Sequence, residues 1–173
     1  MPTSDNENKY VAKQWIDEVE PKRVLDVGCG EGTYSILART DKQEWVGIEA
    51  FYPYVNQYDL NNKYDKVIIS DVRYIDYNKL GQFDLSIAGD MLEHMTKSEA
   101  KEVIRGLLSI SSYVLLCFPV IHFNQHIDEN PFERHIDHWD NEEMTTYLQT
   151  INATTIHTIV GDVLSYHLIK RVL

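Results

Sequence analysis

Val24-Leu25-Asp26-Val27-Gly28-Cys29-Gly30-Glu31-Gly32 is a short apolar run that breaks into three glycines spaced two apart. A run this short suits a buried strand. The glycines permit a sharp turn and let backbone approach a ligand closely. Upstream, Ala12, Trp15, Ile16 and Val19 recur at helical spacing and predict an amphipathic helix over residues 9–19, ended by Pro21. Downstream, Tyr34, Leu37 and Ala38 give a short helix, residues 45–48 a second strand, and Pro53 the first turn of another helix. Residues 67–69 and 83–88 read as the third and fourth strands. Thr96 with Glu99 forms a capping box ahead of Ala100, Val103, Ile104, Leu107 and Leu108, which share one helix face. Residues 114–118 make a fifth strand, stopped by Pro119. Residues 119–139 lack a period and read as a long loop, a feature usually tied to function. Asp140 with Glu143 caps a helix carrying Met144, Tyr147, Leu148 and Ile151, and residues 154–160 and 163–170 flank Gly161-Asp162 as a hairpin. Strand–helix alternation over five units predicts an α/β fold: a doubly wound parallel sheet with helices on both faces and an antiparallel edge.

The remainder of the composition bounds what such a fold could serve. At 173 residues the chain is one domain's worth, with residues 1–8 read as a flexible polar N-terminus and 9–173 as the domain. Sixteen Lys+Arg against 27 Asp+Glu give a formal charge of −11, which disfavours broad electrostatic binding to nucleic acid or to an anionic membrane. Cys29 and Cys117 lie far apart and form no CxxC pair, so neither a zinc knuckle nor a disulfide scaffold is expected. With no basic-then-apolar leader and no apolar run of membrane-spanning length, the expectation is a soluble, cytoplasmic domain.

Acidic residues fall at the ends of successive strands. Glu49 closes the second strand, 21 positions after Gly28, where a carboxylate can accept from two ribose hydroxyls. Asp71 closes the third, within reach of an adenine amino group. A dinucleotide fold usually offers G-x-G-x-x-G, but Thr33 stands where the third glycine belongs. Asp26 beside a pyrophosphate would repel it, whereas an acid there suits a ligand with a cationic end, such as an amino acid linked to adenosine.

In these motifs the sequence resembles class I S-adenosylmethionine-dependent methyltransferases. Residues 26–32 match that family's first motif, Glu49 its ribose acid, Asp71-Val72 its adenine-contacting pair, and Gly89-Asp90 its fourth-strand motif. The resemblance implies a Rossmann-like seven-stranded sheet of order 3-2-1-4-5-7-6, the last strand antiparallel. It also implies S-adenosylmethionine as cofactor, with S-adenosylhomocysteine (SAH) as product. Asp26, Gly28, Cys29, Gly30, Glu49, Ala50, Asp71, Val72, Gly89 and Asp90 are its expected contacts.

The reacting side is read from Asp90-Met91-Leu92-Glu93-His94, just past the fourth strand. In one helical turn, positions 90, 93 and 94 share a side. The fragment resembles the Leu-Glu-His step of quinone-precursor O-methyltransferases. It also resembles the acidic-x-x-Glu-His step of metal-dependent small-RNA 2′-O-methyltransferases, where Glu and His ligate magnesium with a later His. Asp90 replaces the Glu of those enzymes, and His138 is the expected later ligand. A two-His site would accept Mn²⁺, Fe²⁺ or Zn²⁺ as readily as Mg²⁺. His135 and Trp139 resemble the His-x-x-x-Trp stretch of small-molecule and glycan-tailoring methyltransferases, whose loop folds over the cofactor. His94, His135 and Glu93 are therefore the candidate catalytic residues, and a metal is left open. His122 and His126 sit in an irregular loop and are read as structural, as are His157 and His167 on the hairpin. Tyr10 and Trp15 are candidates to cover the cofactor.

Seven carboxylates against Arg134 in residues 128–143 weigh against a phosphate-rich acceptor. The expectation is methyl transfer to O or N of a small-molecule or glycan-like acceptor. Alternatives are a metal-dependent RNA methyltransferase, a dehydrogenase, for which a substrate domain is missing, and a non-catalytic nucleotide-binding module.

Overall fold

The computed structural model describes residues 5–122, 129–151 and 153–172. Seven strands form one sheet: β1 (Arg23–Val27), β2 (Glu44–Glu49), β3 (Lys66–Ile69), β4 (Phe83–Gly89), β5 (Ser111–Pro119), β6 (Ala153–Val160) and β7 (Leu164–Arg171). Their order is β3-β2-β1-β4-β5-β7-β6. The first five pair in parallel, and β7 is antiparallel to both β5 and β6. This is the Rossmann-like sheet that the resemblance implied.

Helices cover both faces because the strands are apolar on both. Val114, Leu116 and Phe118 of β5 share a buried cluster with residues of α5 (Lys97–Ile110) and α6 (Asn141–Gln149). The alternate residues Leu115 and Cys117 join Ala12 and Ile16 of α1 (Lys9–Val19) and Tyr34 and Ala38 of α2 (Thr33–Ala38) on the other side. Burying each of the Val, Leu, Ile and Phe side chains among them stabilises by about 1.5–3 kcal/mol.

The helix starts follow their capping residues. Thr96 and Glu99 form the expected box at α5, with Thr96 N–H on Glu99 Oε2 at 2.9 Å and Glu99 N–H on Thr96 Oγ1 at 3.3 Å. Asp140 accepts from Glu143 N–H at 2.7 Å at the start of α6. Pro53 opens α3 (Pro53–Gln57). A four-residue helix, α4 (Leu60–Lys63), is new relative to the sequence reading. β5 also runs one residue further than expected: Pro119 pairs opposite Leu164 at the strand's end, where a residue without an N–H is tolerated.

Residues 123–128, including His126, lie outside the described residues, as do residues 1–4 of the stretch expected to fray. Residues 5–8 of that stretch make defined hydrogen bonds, described below. Among the described residues no helix is long and apolar enough to cross a membrane.

Candidate active site

The carboxyl ends of β1, β2, β3 and β4 open into one cleft of about 720 Å³, the place where parallel sheets collect ligands. Every residue singled out as a cofactor contact lines it: Asp26, Gly28, Cys29 and Gly30 from the β1 turn, Glu49 and Ala50 from β2, Asp71 and Val72 after β3, and Gly89 and Asp90 at the end of β4. Gly28 takes a φ of +64°, a conformation that costs other residues strain. A Cβ on it would also lie 2.9 Å from Met91 Cβ. At Gly89 the constraint is packing, since a Cβ there would sit 2.1 Å from the Tyr34 ring.

The acids are held in different ways. Glu49 is buried, and its two oxygens accept Phe51 N–H at 2.8 Å and Gly30 N–H at 2.9 Å. Burial raises its pKa against these backbone bonds. Asp26 is 2% exposed and accepts the Tyr64 hydroxyl at 2.7 Å. Burial pushes it up to about 7, opposed by Tyr64 and reinforced by the Glu49 charge. Asp71 is instead gripped by Arg73, with Nη2 at 2.6 Å and Nε at 3.0 Å. Burial pulls its pKa up, but the guanidinium and Arg73 N–H outweigh that and hold it below the usual range.

Past β4 the chain turns at Asp90 (φ +51°) into a 3₁₀ turn over Leu92–His94. Glu93 is 3% exposed, and its Oε2 has no hydrogen-bond partner among the described residues. Burial, then the charges of Asp90 and Glu133, drive its pKa well up. His94 Nδ1 lies 3.2 Å from Arg134 C=O, which places the proton on Nδ1 and leaves Nε2 as the acceptor. Burial lowers its pKa to about 4.

The long loop returns here. Ile136 N–H and Asp137 N–H both donate to Glu93 C=O, at 2.8 and 3.2 Å. These bonds set His135 beside His94, with ring centroids 5.0 Å apart and edge-on. One ligand atom each from Glu93, His94 and His135 lies within 4.8 Å of the others.

The expectation that His138 completes this group is therefore corrected. The backbone pins residue 135, and three residues on His138 has turned away to stack on His122, with centroids 4.5 Å apart and 8° between the planes. Tyr10 and Trp15 do not cover the cleft either: Tyr10 faces solvent, and Trp15 stacks on His157 at 5.3 Å. The N-terminal wall is made by Asp5 and Asn6. His157 bonds Glu18 at 2.9 Å, and His167 is buried against Phe118. Sequence reasoning missed Glu133, a buried cleft residue in a 3₁₀ turn over Pro131–Glu133, and Tyr64, the partner of Asp26. The Asn-Pro pair ahead of Glu133 was the available signal, since Asn130 caps that turn by accepting Phe132 N–H.

With this fold and cleft, the chain matches over residues 25–111 the family described as a methyltransferase domain. It belongs to that family, and its sheet has the order that the resemblance to class I S-adenosylmethionine-dependent methyltransferases implied. No curated protein matches the sequence significantly.

Several solved structures share the fold. An S-adenosylmethionine-dependent methyltransferase from Clostridium acetobutylicum superposes with a TM-score of 0.73 at 10% identity, over 99% of this chain and 94% of the other. The N-terminal domain of EvdMO1, crystallised with SAH and D-fucose, gives 0.71 at 16%, over 98% and 85%. The small RNA methyltransferase HEN1 gives 0.72 at 15%, covering 99% of this chain and 26% of the other.

Proposed function

We propose that the chain transfers a methyl group from S-adenosylmethionine to an oxygen or nitrogen of a small-molecule or glycan-like acceptor. One observation carries this. A single cleft joins the glycine turn and strand-end acids to the Glu93-His94-His135 group, so a cofactor and an acceptor would share one space.

The residues present fit a cationic adenosyl cofactor. Asp26 and Glu49 are buried carboxylates whose pKa values are raised by desolvation, a cost that a nearby positive group relieves. Gly28 puts no side chain between the strand end and the cleft. Glu49 would hold the ribose, Asp71 and Val72 the adenine, and Asp26 with the turn backbone the amino-acid end. Cys29 and Ala50 would pack against the cofactor, and Gly89 and Asp90 would border it on the β4 side. When bound, the cofactor supplies a methyl group on a sulfonium sulfur that departs as a neutral thioether. The protein's part is to align the acceptor within about 3 Å of that carbon, to exclude water with Met95, Pro119, Ile121 and Phe132, and to take a hydroxyl proton at His94 or His135.

Charge argues for the acceptor class. Among the described residues, eight acidic side chains line the cleft, two of them, Asp26 and Glu93, pushed by burial toward the neutral acid, against a single Lys or Arg, Arg73, already paired with Asp71 and Glu99. A phosphate backbone entering it would be repelled. The presence of D-fucose in the EvdMO1 domain structure supports a sugar-like acceptor.

The test is thermal stability with ligand. S-adenosylmethionine or SAH is expected to raise Tm by mass action, and NAD(H) to leave it unchanged. Stabilisation by NAD(H) alone would overturn the reading. A screen of sugars, phenols, amines and RNA with labelled methyl donor then identifies the acceptor. Replacing Glu49 with Ala removes charge-assisted bonds worth about 1.5–3 kcal/mol each, so SAH affinity is expected to fall roughly tenfold or more. Because Gly30 and Phe51 N–H also lose their acceptor, Tm without ligand is measured alongside. An unchanged Kd in the folded variant places the ribose elsewhere.

A second reading rests on the Glu93, His94 and His135 grouping, with Glu93 Oε2 unpartnered among the described residues. These three would hold a divalent cation able to polarise an acceptor hydroxyl. Loss of turnover in chelator, with recovery in Mn²⁺ or Mg²⁺, would favour it.

A further inference from the structure

We propose that Glu7 is a positioning residue of the cleft, fastening residues 5–8 to the turn between β6 and β7 so that Asp5 and Asn6 stand as a fixed wall. Its carboxylate sits in a nest of three successive backbone donors. Oε1 accepts Asp162 N–H at 2.8 Å, and Oε2 accepts Val163 N–H at 2.9 Å and Leu164 N–H at 2.7 Å. The Tyr166 hydroxyl adds a bond to Glu7 C=O at 2.9 Å. Consecutive N–H groups of this kind make a concave anion site.

The segment is shaped on both sides of this anchor. Asp5 Oδ1 accepts Glu7 N–H at 2.8 Å, folding the strap back on itself. Asn8, at φ 57°, turns the chain into α1, where Lys9 Nζ lies 3.8 Å from Asp90 Oδ2. The strap thus runs from the hairpin turn to the end of β4. Asp5 and Asn6 line the cleft beside Val163 and Leu164, which carry two of the anchoring N–H groups.

Asp162 is exposed, so water could serve its N–H, and the β6–β7 pairs from Ala153↔Arg171 to Val160↔Ser165 do not involve Glu7, whereas Leu164 is buried and its N–H finds an acceptor in Glu7. What the carboxylate adds is a tie across about 155 residues of sequence. Leu164 N–H above all, against the pull of burial, and then Val163 and Asp162 hold Glu7 below the usual carboxylate range, so the clip is charged at neutral pH. Gly161 belongs to the same device. A Cβ there would lie 2.2 Å from Glu7 Oε2, so glycine leaves the space that the carboxylate occupies.

The consequence for cofactor retention rests on the function proposed above, and the experiment separates the two. Glu7→Ala, Glu7→Gln and Gly161→Ala are made in the full chain. Gly161→Ala displaces only the end of a flexible side chain, so it tests the clip with Glu7 still present. Amide exchange at residues 162–164 is expected to accelerate roughly tenfold in Glu7→Ala and Gly161→Ala. Glu7→Gln, with one acceptor left, is expected to fall between them and the parent. SAH dissociation is expected to quicken about fivefold in the same order.

Unchanged exchange in Glu7→Ala overturns the clip. Faster exchange with unchanged SAH release overturns the positioning role. A parent that binds no SAH counts against the cofactor, while the exchange arm still decides whether Glu7 fastens the strap.

Discussion

Turnover on a hydroxyl acceptor is expected to fall by roughly 10²–10⁴ when His135 is replaced with Ala, with SAH affinity within about twofold of the parent. Burial lowers the pKa of His94 to about 4, while donating Nδ1–H to Arg134 C=O supports its basicity. His135 is set edge-on against it at 5.0 Å, and both rings are half-buried at the cleft. His94→Ala removes the surface on which His135 rests, and a comparable loss is expected. Rates and SAH titrations on both variants, with and without EDTA, check this. EDTA without effect on the parent leaves the base reading standing, whereas loss of activity and rescue by Mn²⁺ moves the three residues to the metal reading. Full activity in both variants would mean that alignment alone suffices.

The second large effect concerns stability. Asp26→Asn is expected to stabilise the ligand-free protein at pH 8 while weakening its hold on the cofactor. Folded Asp26 keeps its proton to about pH 7, whereas the unfolded side chain releases it near pH 3.9. Folding therefore takes up a proton between those values, and the parent loses stability as pH rises through that window. Asparagine has nothing to titrate, and its carbonyl can still accept the Tyr64 hydroxyl. At about 1.4 kcal/mol per pH unit, the gain at pH 8 is on the order of 4 kcal/mol, or roughly 8–16 °C in Tm, and it shrinks toward zero near pH 4. Thermal melts of parent and variant from pH 4 to 8 measure it. A variant less stable than the parent at pH 8 would mean that Asp26 is ionised there at little cost. The same charge that strains the empty protein would then be absent as an anchor for a cationic ligand.

Much of this was legible in the residues because the relevant signals are local. Continuous apolar runs marked the inner strands, a capping box marked α5 and an N-cap aspartate marked α6. The acids at the ends of β2 and β3 could be placed once the strands were known, since parallel strands end together. What escaped was set by contacts between distant segments. Nothing near Asp26 announces Tyr64, 38 residues on. The choice of His135 over His138 depends on two N–H groups finding the carbonyl of Glu93, a register that a loop without a period cannot display. Glu133, Asp5 and Asn6 reach the cleft for the same reason, and α4 is too short to carry a helical repeat.

The place of β7 has a consequence for the order in which the molecule can be assembled. It is the last of the seven strands to leave the ribosome, yet it is inserted between β5 and β6. Until it arrives, β5 presents an open edge along Val114-Leu115-Leu116-Cys117-Phe118, and such uncovered apolar edges recruit other chains. β6, synthesised earlier, cannot shield it, because β6 reaches the sheet only through β7. A nascent chain halted before residue 164 is therefore expected to be the aggregation-prone species, and the finished hairpin is what makes the sheet safe in a crowded cell.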